Sequence, residues 1–160
     1  MNIVLEGPDG SGKSVLAQYL GSRLKRPVVA SVGPPKSQED IHQRCREALS
    51  KDGVVFDRHP VISEAIYGKH RHTRWLTDEL ITQFVNQRNF IIICVPSQGG
   101  LDYHRTKPHD SDQHLQMLVD HYDQISESYS RLPRNLTYSW WRTTPKSFSS
   151  KVAWHVTRHK

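Results

Sequence analysis

Cysteine is scarce in this sequence. Cys45 and Cys94 are the only two in 160 residues, and no Cys-x-x-Cys pair occurs. That excludes a disulfide-stapled secreted scaffold and a cysteine-rich zinc module, and two reduced thiols in a cytoplasmic protein are expected. Long apolar runs are missing too. The longest covers residues 90–95, far short of the ~20 residues a bilayer-spanning helix needs, so no membrane partner is expected. A signal peptide is not expected either, because a glycine-rich segment opens at Gly7 directly after the first apolar run. Acidic residues are outnumbered, 16 Asp and Glu against 22 Lys and Arg, for a formal charge of +6. Such a balance favours polyanionic partners: nucleotides, DNA or RNA. The basic residues also cluster, at Lys69, His70, Arg71, His72 and Arg74, and again at Arg142, Lys146, Lys151, Arg158 and Lys160. The length suits one domain spanning 1–160 with one core.

What is present alternates between two periodicities. Ile3, Val4 and Leu5 form a short apolar run ended by glycine, which reads as a buried strand. Val15, Leu16, Tyr19, Leu20 and Leu24 then recur at helical spacing. A second strand is expected at 27–32, and a helix from a Ser37 cap to about residue 51. A third strand at 53–57 and a short helix at 60–68 follow, the latter with Pro60 in its first turn. Thr77 can cap a helix carrying Leu80, Ile81, Phe84 and Val85, before a fourth strand at 90–95. Residues 96–111 are polar and read as a lid-like loop. Leu115 to Tyr129 mark a long amphipathic helix, 136–141 a fifth strand, and Pro145 the start of a last helix. Alternating strands and helices build a parallel sheet with helices on both faces. The expected fold is therefore α/β, with three layers and a five-stranded parallel sheet; the segment Gly7 to Ser14, with its GxxxxGKS spacing between the first strand and the first helix, makes it a three-layer P-loop NTPase fold.

The chemistry begins at Gly7-Pro8-Asp9-Gly10-Ser11-Gly12-Lys13-Ser14. Gly7, Gly12, Lys13 and Ser14 fit the phosphate-loop pattern GxxxxGK[ST]. Glycines allow consecutive backbone N–H groups to turn toward phosphate oxygens, and the helix that follows presents its positive end to the same anion. Gly10, Ser11, Gly12, Lys13 and Ser14 are thus the candidate phosphate-binding residues for ATP. Lys13 reaches the β- and γ-phosphates and Ser14 ligates Mg²⁺. A chance match is the bland alternative, but this one sits between an expected strand and an expected helix, as the motif requires.

Asp57 closes the apolar run Val54-Val55-Phe56 at the carboxyl end of the third strand. Ligands of open α/β sheets bind at that edge. Asp57 can hold Mg²⁺, directly or through water, or accept a proton from an attacking hydroxyl; an acid that merely caps the next turn is the alternative. Arg58 follows it, where a water-activating ATPase often has glutamate, and no NKxD segment for guanine recognition exists. Both absences favour a small kinase over a motor or a GTPase.

With these residues in view, Glu6 to Ser14 resembles the EGxDGxGKS loop of the thymidylate kinase family. Asp57-Arg58-His59, followed by Ser63, Ala65 and Gly68, is similar to that family's DRY segment and the helix behind it. The element order matches from Met1 to about Trp141. The resemblance implies acceptor-binding roles for Asp9 toward a sugar, Arg58 toward an acceptor phosphate, and Arg44 or Arg46 toward a pyrimidine. Tyr67 and Arg71 are further acceptor-side candidates. Arg105, with Lys107, falls where the family's mobile lid lies, so the implied catalytic set is Lys13, Asp57 and Arg105. The departures all fall on the acceptor side: Ser31-Val32-Gly33-Pro34-Pro35 replaces an REP-type segment, His59 replaces the aromatic of DRY, and Ile66-Tyr67 stands where Tyr-Gln is usual. In its loop, length and charge the chain also resembles a group of short phage enzymes that phosphorylate 5-hydroxymethyluracil within DNA.

The expected function is transfer of the γ-phosphate of ATP, with Mg²⁺, to a thymidine-like pyrimidine, in first place 5-hydroxymethyl-2′-deoxyuridine in DNA. The setting is cytoplasmic, in the host if the gene is a phage's. A deoxynucleoside monophosphate or deoxynucleoside kinase is the alternative, and a nucleic-acid-binding protein that senses ATP is the reading from another class. Residues 69–74 and Trp140-Trp141-Arg142 can contact a polymer, since aromatic and guanidinium planes stack on unpaired bases. Trp140 and Trp141 can equally alternate across an edge strand. The spacings of His70 with His72 and of His155 with His159 can bind zinc, but no cysteine or carboxylate cluster joins them, so solvated surface is expected. The Tyr122, Ile125, Tyr129 stripe reads simply as core.

Overall fold

Strand β1 (Asn2–Glu6) runs through the middle of the molecule, and each of its residues is buried. The computed structural model describes residues 1–96 and 112–158, with side chains from 116 onward in the second stretch. Residues 97–111, including Arg105 and Lys107 and the expected lid, lie outside the described residues. After β1 come α1 (Lys13–Leu24), β2 (Val28–Ala30), α2 (Gln38–Leu49), β3 (Val55–Asp57), α3 (Pro60–His70), α4 (Asp78–Asn86) and β4 (Asn89–Cys94). Then follow α5 (Asp112–Ser130), β5 (Leu136–Tyr138) and α6 (Pro145–Arg158). The sheet is parallel, in the order β2-β3-β1-β4-β5.

Strand side chains alternate between faces, and the two main core clusters separate accordingly. Ile3, Leu5, Val55, Ile92 and Cys94 face α1 and α6, packing on Leu16, Leu20, Phe148 and Val152. Val4 and Phe56 face the other side, against Ile62, Ile66, Leu118 and Ile125. This gives the expected three layers with five parallel strands. Ser37 and Thr77 cap α2 and α4 as read from sequence, accepting from the N–H groups of Asp40 and Leu80. On α4 the expected apolar face is narrower, since Leu80 is buried while Ile81 and Val85 are exposed.

One boundary differs in consequence. β5 stops at Tyr138 rather than continuing to Trp141, because its one partner among the described residues, β4, ends at Cys94, opposite Tyr138. Trp140 and Trp141 therefore sit in the turn after the strand and do not alternate across it. Among the described residues no helix is long and apolar enough to cross a membrane.

The topology also places a crevice. β1 and β3 are neighbours with Leu5 opposite Asp57. From their carboxyl ends the chain leaves in opposite directions, into α1 on one face and α3 on the other. A switch point of this kind opens a cleft at the strand ends.

Candidate active site

The loop after β1 is shaped by close approach. Gly7 has φ 145°, and a Cβ there would drive into the carbonyl oxygen of Cys94 on β4. Gly12 caps α1 at φ 81° with no side-chain hydrogen bond, and no acid occupies the first turn of that helix. The first N–H groups of α1 are thus not taken by a side-chain cap, and the helix end favours an anion. Lys13 is buried in the loop, donating to the Pro8 carbonyl at 2.7 Å and to Ser11 Oγ at 3.2 Å. Burial, and secondarily Arg58, lowers its pKa to about 8.

Across the crevice, the Ser14 hydroxyl donates to Asp57 Oδ2 at 2.6 Å. A hydroxyl and a carboxylate oxygen so placed suit a hard cation such as Mg²⁺. Among the described residues no group of three His, Cys, Asp or Glu forms an all-protein cage, and Mg²⁺ commonly takes its remaining ligands from phosphates and water. The donor set therefore fits this ion.

Arg58 organises the other half of the site. It has φ 73°, a backbone conformation that costs a non-glycine residue about 1–2 kcal/mol. Its N–H donates to the Leu5 carbonyl at 3.0 Å, tying the β3 end to β1. The guanidinium forms an ion pair with Asp9, donates to the hydroxyls of Tyr67 at 2.8 Å and Tyr129 at 2.9 Å, and lies over the Tyr67 ring. Burial opposes its charge, but Tyr67, Asp9, Tyr129 and Glu6 outweigh it and raise the pKa. Beneath it Glu6 is fully buried. Its Oε1 accepts the His59 N–H at 2.6 Å, and burial, only partly offset by Arg58, pushes its pKa up to about 7.

His59 takes a structural place. Its Nδ1 accepts the Val61 N–H as the cap of α3, and its ring packs between Phe56 and Phe84. Burial drops its pKa to about 3, so the ring is neutral.

A cavity of about 350 Å³ opens from this network. Asp9, Arg44, Arg58, Tyr67 and Arg71 all line it, with apolar wall from Val29, Ile41 and Phe56. Of the two arginines left open by sequence, Arg44 faces the cavity, held by Asp40 and the Gly33 carbonyl. Arg46 is exposed and pairs with Glu39. The basic run is not uniformly outward: Arg71 turns in and pairs with Glu64 at 2.6 Å, while Lys69, His72 and Arg74 remain exposed. A second concavity, lined by Lys69, His72, Arg74 and Trp75, shares Glu64 with the first.

Two tyrosines read only as core also reach the site. Tyr129 bonds Arg58, and Tyr122 donates to the Asp9 carbonyl at 3.2 Å. The available signal was a hydroxyl on an otherwise apolar stripe. Trp140 is a further addition. Half exposed, it would lie 3.4 Å from a Cβ on Gly12, so it sits against the phosphate loop. Trp141 meets it edge-on. His70 stacks on His121.

The sheet order, the glycine loop with its lysine, and the serine–aspartate pair at the strand ends define the fold of the P-loop kinases. Solved structures agree. The YorR protein of Bacillus subtilis, in complex with phosphorylated GDP, superposes with a TM-score of 0.69 at 18% identity, covering 100% of this chain and 99% of that one. Shikimate kinase from Acinetobacter baumannii with shikimate gives 0.58 at 15% identity, over 99% and 94% of the two chains. Deoxyadenosine kinase from M. mycoides with dCMP and dCDP gives 0.59 at 10% identity, over 100% of both. No protein-family model and no curated protein matches the sequence.

Proposed function

We propose that this protein is an ATP- and Mg²⁺-dependent kinase that phosphorylates a pyrimidine acceptor, with the 5-hydroxymethyl group of a modified deoxyuridine in DNA as the favoured substrate. One observation carries the reading: the phosphate loop and the acceptor cavity share a wall, made by the Asp9–Arg58 pair. A phosphate on the loop and a ring in the cavity would meet across it. ATP enters with its phosphates against Lys13 and the α1 N-terminus, and Trp140 offers its indole face to the donor base. Ser14 and Asp57 would hold Mg²⁺, which when bound supplies charge neutralisation at the β- and γ-phosphate oxygens.

The acceptor hydroxyl oxygen forms a bond to the γ-phosphorus as the bond to the β–γ bridging oxygen breaks. ADP leaves and the hydroxyl proton passes to a carboxylate. Two tasks were open for Asp57. Its bond to Ser14 favours the metal side; of the carboxylates lining the cavity, Asp9, Glu47 and Glu64, it is Asp9 that belongs to the phosphate loop. Exposed Lys69, His72 and Arg74, in the adjoining concavity, suit the phosphates of a strand whose base is turned into the cavity.

A deoxynucleoside or deoxynucleoside monophosphate kinase is the second reading. The cavity volume, in the range of small-molecule sites, and the likeness to deoxyadenosine kinase favour it. ADP release measured with thymine DNA, hydroxymethyluracil DNA, deoxynucleosides and their monophosphates separates the readings. Release stimulated by hydroxymethyluracil DNA and not by thymine DNA supports the first, because thymine's methyl group has no oxygen to attack phosphorus. Release that responds to no acceptor overturns the kinase reading in favour of an ATP sensor.

A further inference from the structure

We propose that the acceptor cavity takes an uncharged, hydroxyl-bearing ring and refuses a phosphate monoester. The inference rests on reading this cavity as the acceptor site. Its ground is the pairing of every arginine that lines it among the described residues. Arg44 holds Asp40 at 2.6 Å, Arg71 holds Glu64 at 2.6 Å, and Arg58 holds Asp9. Among the described residues the other charged groups lining it are Glu47 and Lys51, one of each sign. With Asp40 counted as the partner of Arg44, these described charges balance, although the protein as a whole is basic.

Arg58 is the group the family resemblance would assign to an acceptor phosphate, and the geometry points the other way. Both N–H bonds of Nη1 go to tyrosine hydroxyls, at 2.8 and 2.9 Å, and Nη2 goes to Asp9. A phosphate dianion arriving here meets the Asp9 carboxylate first. To take Arg58 it must displace Asp9 and break this part-buried ion pair, an unfavourable exchange. Glu6, buried directly behind, adds negative rather than positive character when it ionises. A neutral ring meets none of these penalties. It can lie on the apolar wall of Val29, Ile41 and Phe56 and offer its hydroxyl to Asp9. Phosphodiesters of a polymer would remain outside, so a nucleoside and a base within DNA both satisfy the cavity, whereas a nucleoside 5′-monophosphate does not.

The test is equilibrium binding of three probes: 5-hydroxymethyl-2′-deoxyuridine, its 5′-monophosphate, and a trinucleotide carrying the modified base at its centre. The wild-type protein is expected to bind the nucleoside or the trinucleotide at least about tenfold more tightly than the monophosphate. Asp9→Asn, which releases Arg58 and removes the opposing charge, is expected to shift that ratio by about tenfold or more toward the monophosphate. Asp40→Asn, which releases Arg44 on the far wall, is expected to shift it in the same direction and serves if the first variant fails to fold. Monophosphate binding as tight as the nucleoside in the wild type, binding of none of the probes, or an unchanged ratio in the folded variants overturns the proposal. The kinase reading fails separately. Binding in the expected order without phosphoryl transfer removes that reading alone, and efficient transfer to the monophosphate removes this proposal alone.

Discussion

Truncating Arg58 should be expensive for the fold itself, and the expected size follows from its contacts. Arg58→Met keeps much of the aliphatic stem and deletes three hydrogen bonds, to Tyr67, Tyr129 and Asp9. Hydrogen bonds to a charged group contribute about 1.5–3 kcal/mol each, and breaking a buried ion pair from one side costs about 3–5 kcal/mol. Asp9 keeps 29% of its side-chain surface exposed, so water recovers part of its loss. The tyrosine hydroxyls, on buried side chains, recover less. A net loss of about 3 kcal/mol is expected, a large part of the stability of a domain this size. Urea unfolding followed by circular dichroism measures it, and a cycle with Asp9→Asn isolates the pair. Coupling of about 1–3 kcal/mol is expected for residues in direct contact. A loss under about 1 kcal/mol, or two single changes that simply add, would refute the view that this network holds the β1 and β3 ends together.

Three further outcomes are expected. Because burial lowers Lys13 to about pKa 8 and phosphates need its ammonium, the Kd for ATP should rise above pH 8, approaching about tenfold per pH unit; a flat profile from pH 7 to 9.5 would remove Lys13 from the phosphate site. Glu6 is raised from 4.5 to about 7, so its contribution to stability is fully present below pH 4.5 and is lost as pH rises through 7, on the order of 3 kcal/mol; thermal melts of Glu6→Gln should lose this slope, and an identical slope would count against it. Trp140→Ala should raise the KM for ATP about fivefold or more with little change in kcat, as for a lost stacking contact of at least about 1 kcal/mol, and an unchanged KM would leave Trp140 structural.

Much of the frame was legible because it depends on short-range chemistry. An apolar run, a glycine spacing and a lysine specify β1, the loop and α1 within one stretch of chain, and the Ser37 and Thr77 caps need only their own helices. What was not legible depends on partners distant in sequence. β5 continues in composition past Tyr138, but its length is set by where β4 ends. Arg71 was an acceptor-side candidate and does line the cavity, but its partner was not legible: as the residue that caps α3 it swings back onto Glu64, seven positions earlier. Periodicity could say that Tyr129 is buried, and it is. It could not say that the hydroxyl would meet Arg58, 71 residues before it in the chain.

The most direct test of the central claim is transfer of label from γ-labelled ATP, with Mg²⁺, to single-stranded DNA containing 5-hydroxymethyluracil, with thymine DNA and free deoxynucleosides alongside. The account predicts label on an acceptor that carries a free hydroxyl, none on thymine within DNA, and none on any acceptor with a folded Lys13→Ala variant. Label that persists in Lys13→Ala, or no transfer to any acceptor by the wild-type protein, would contradict it.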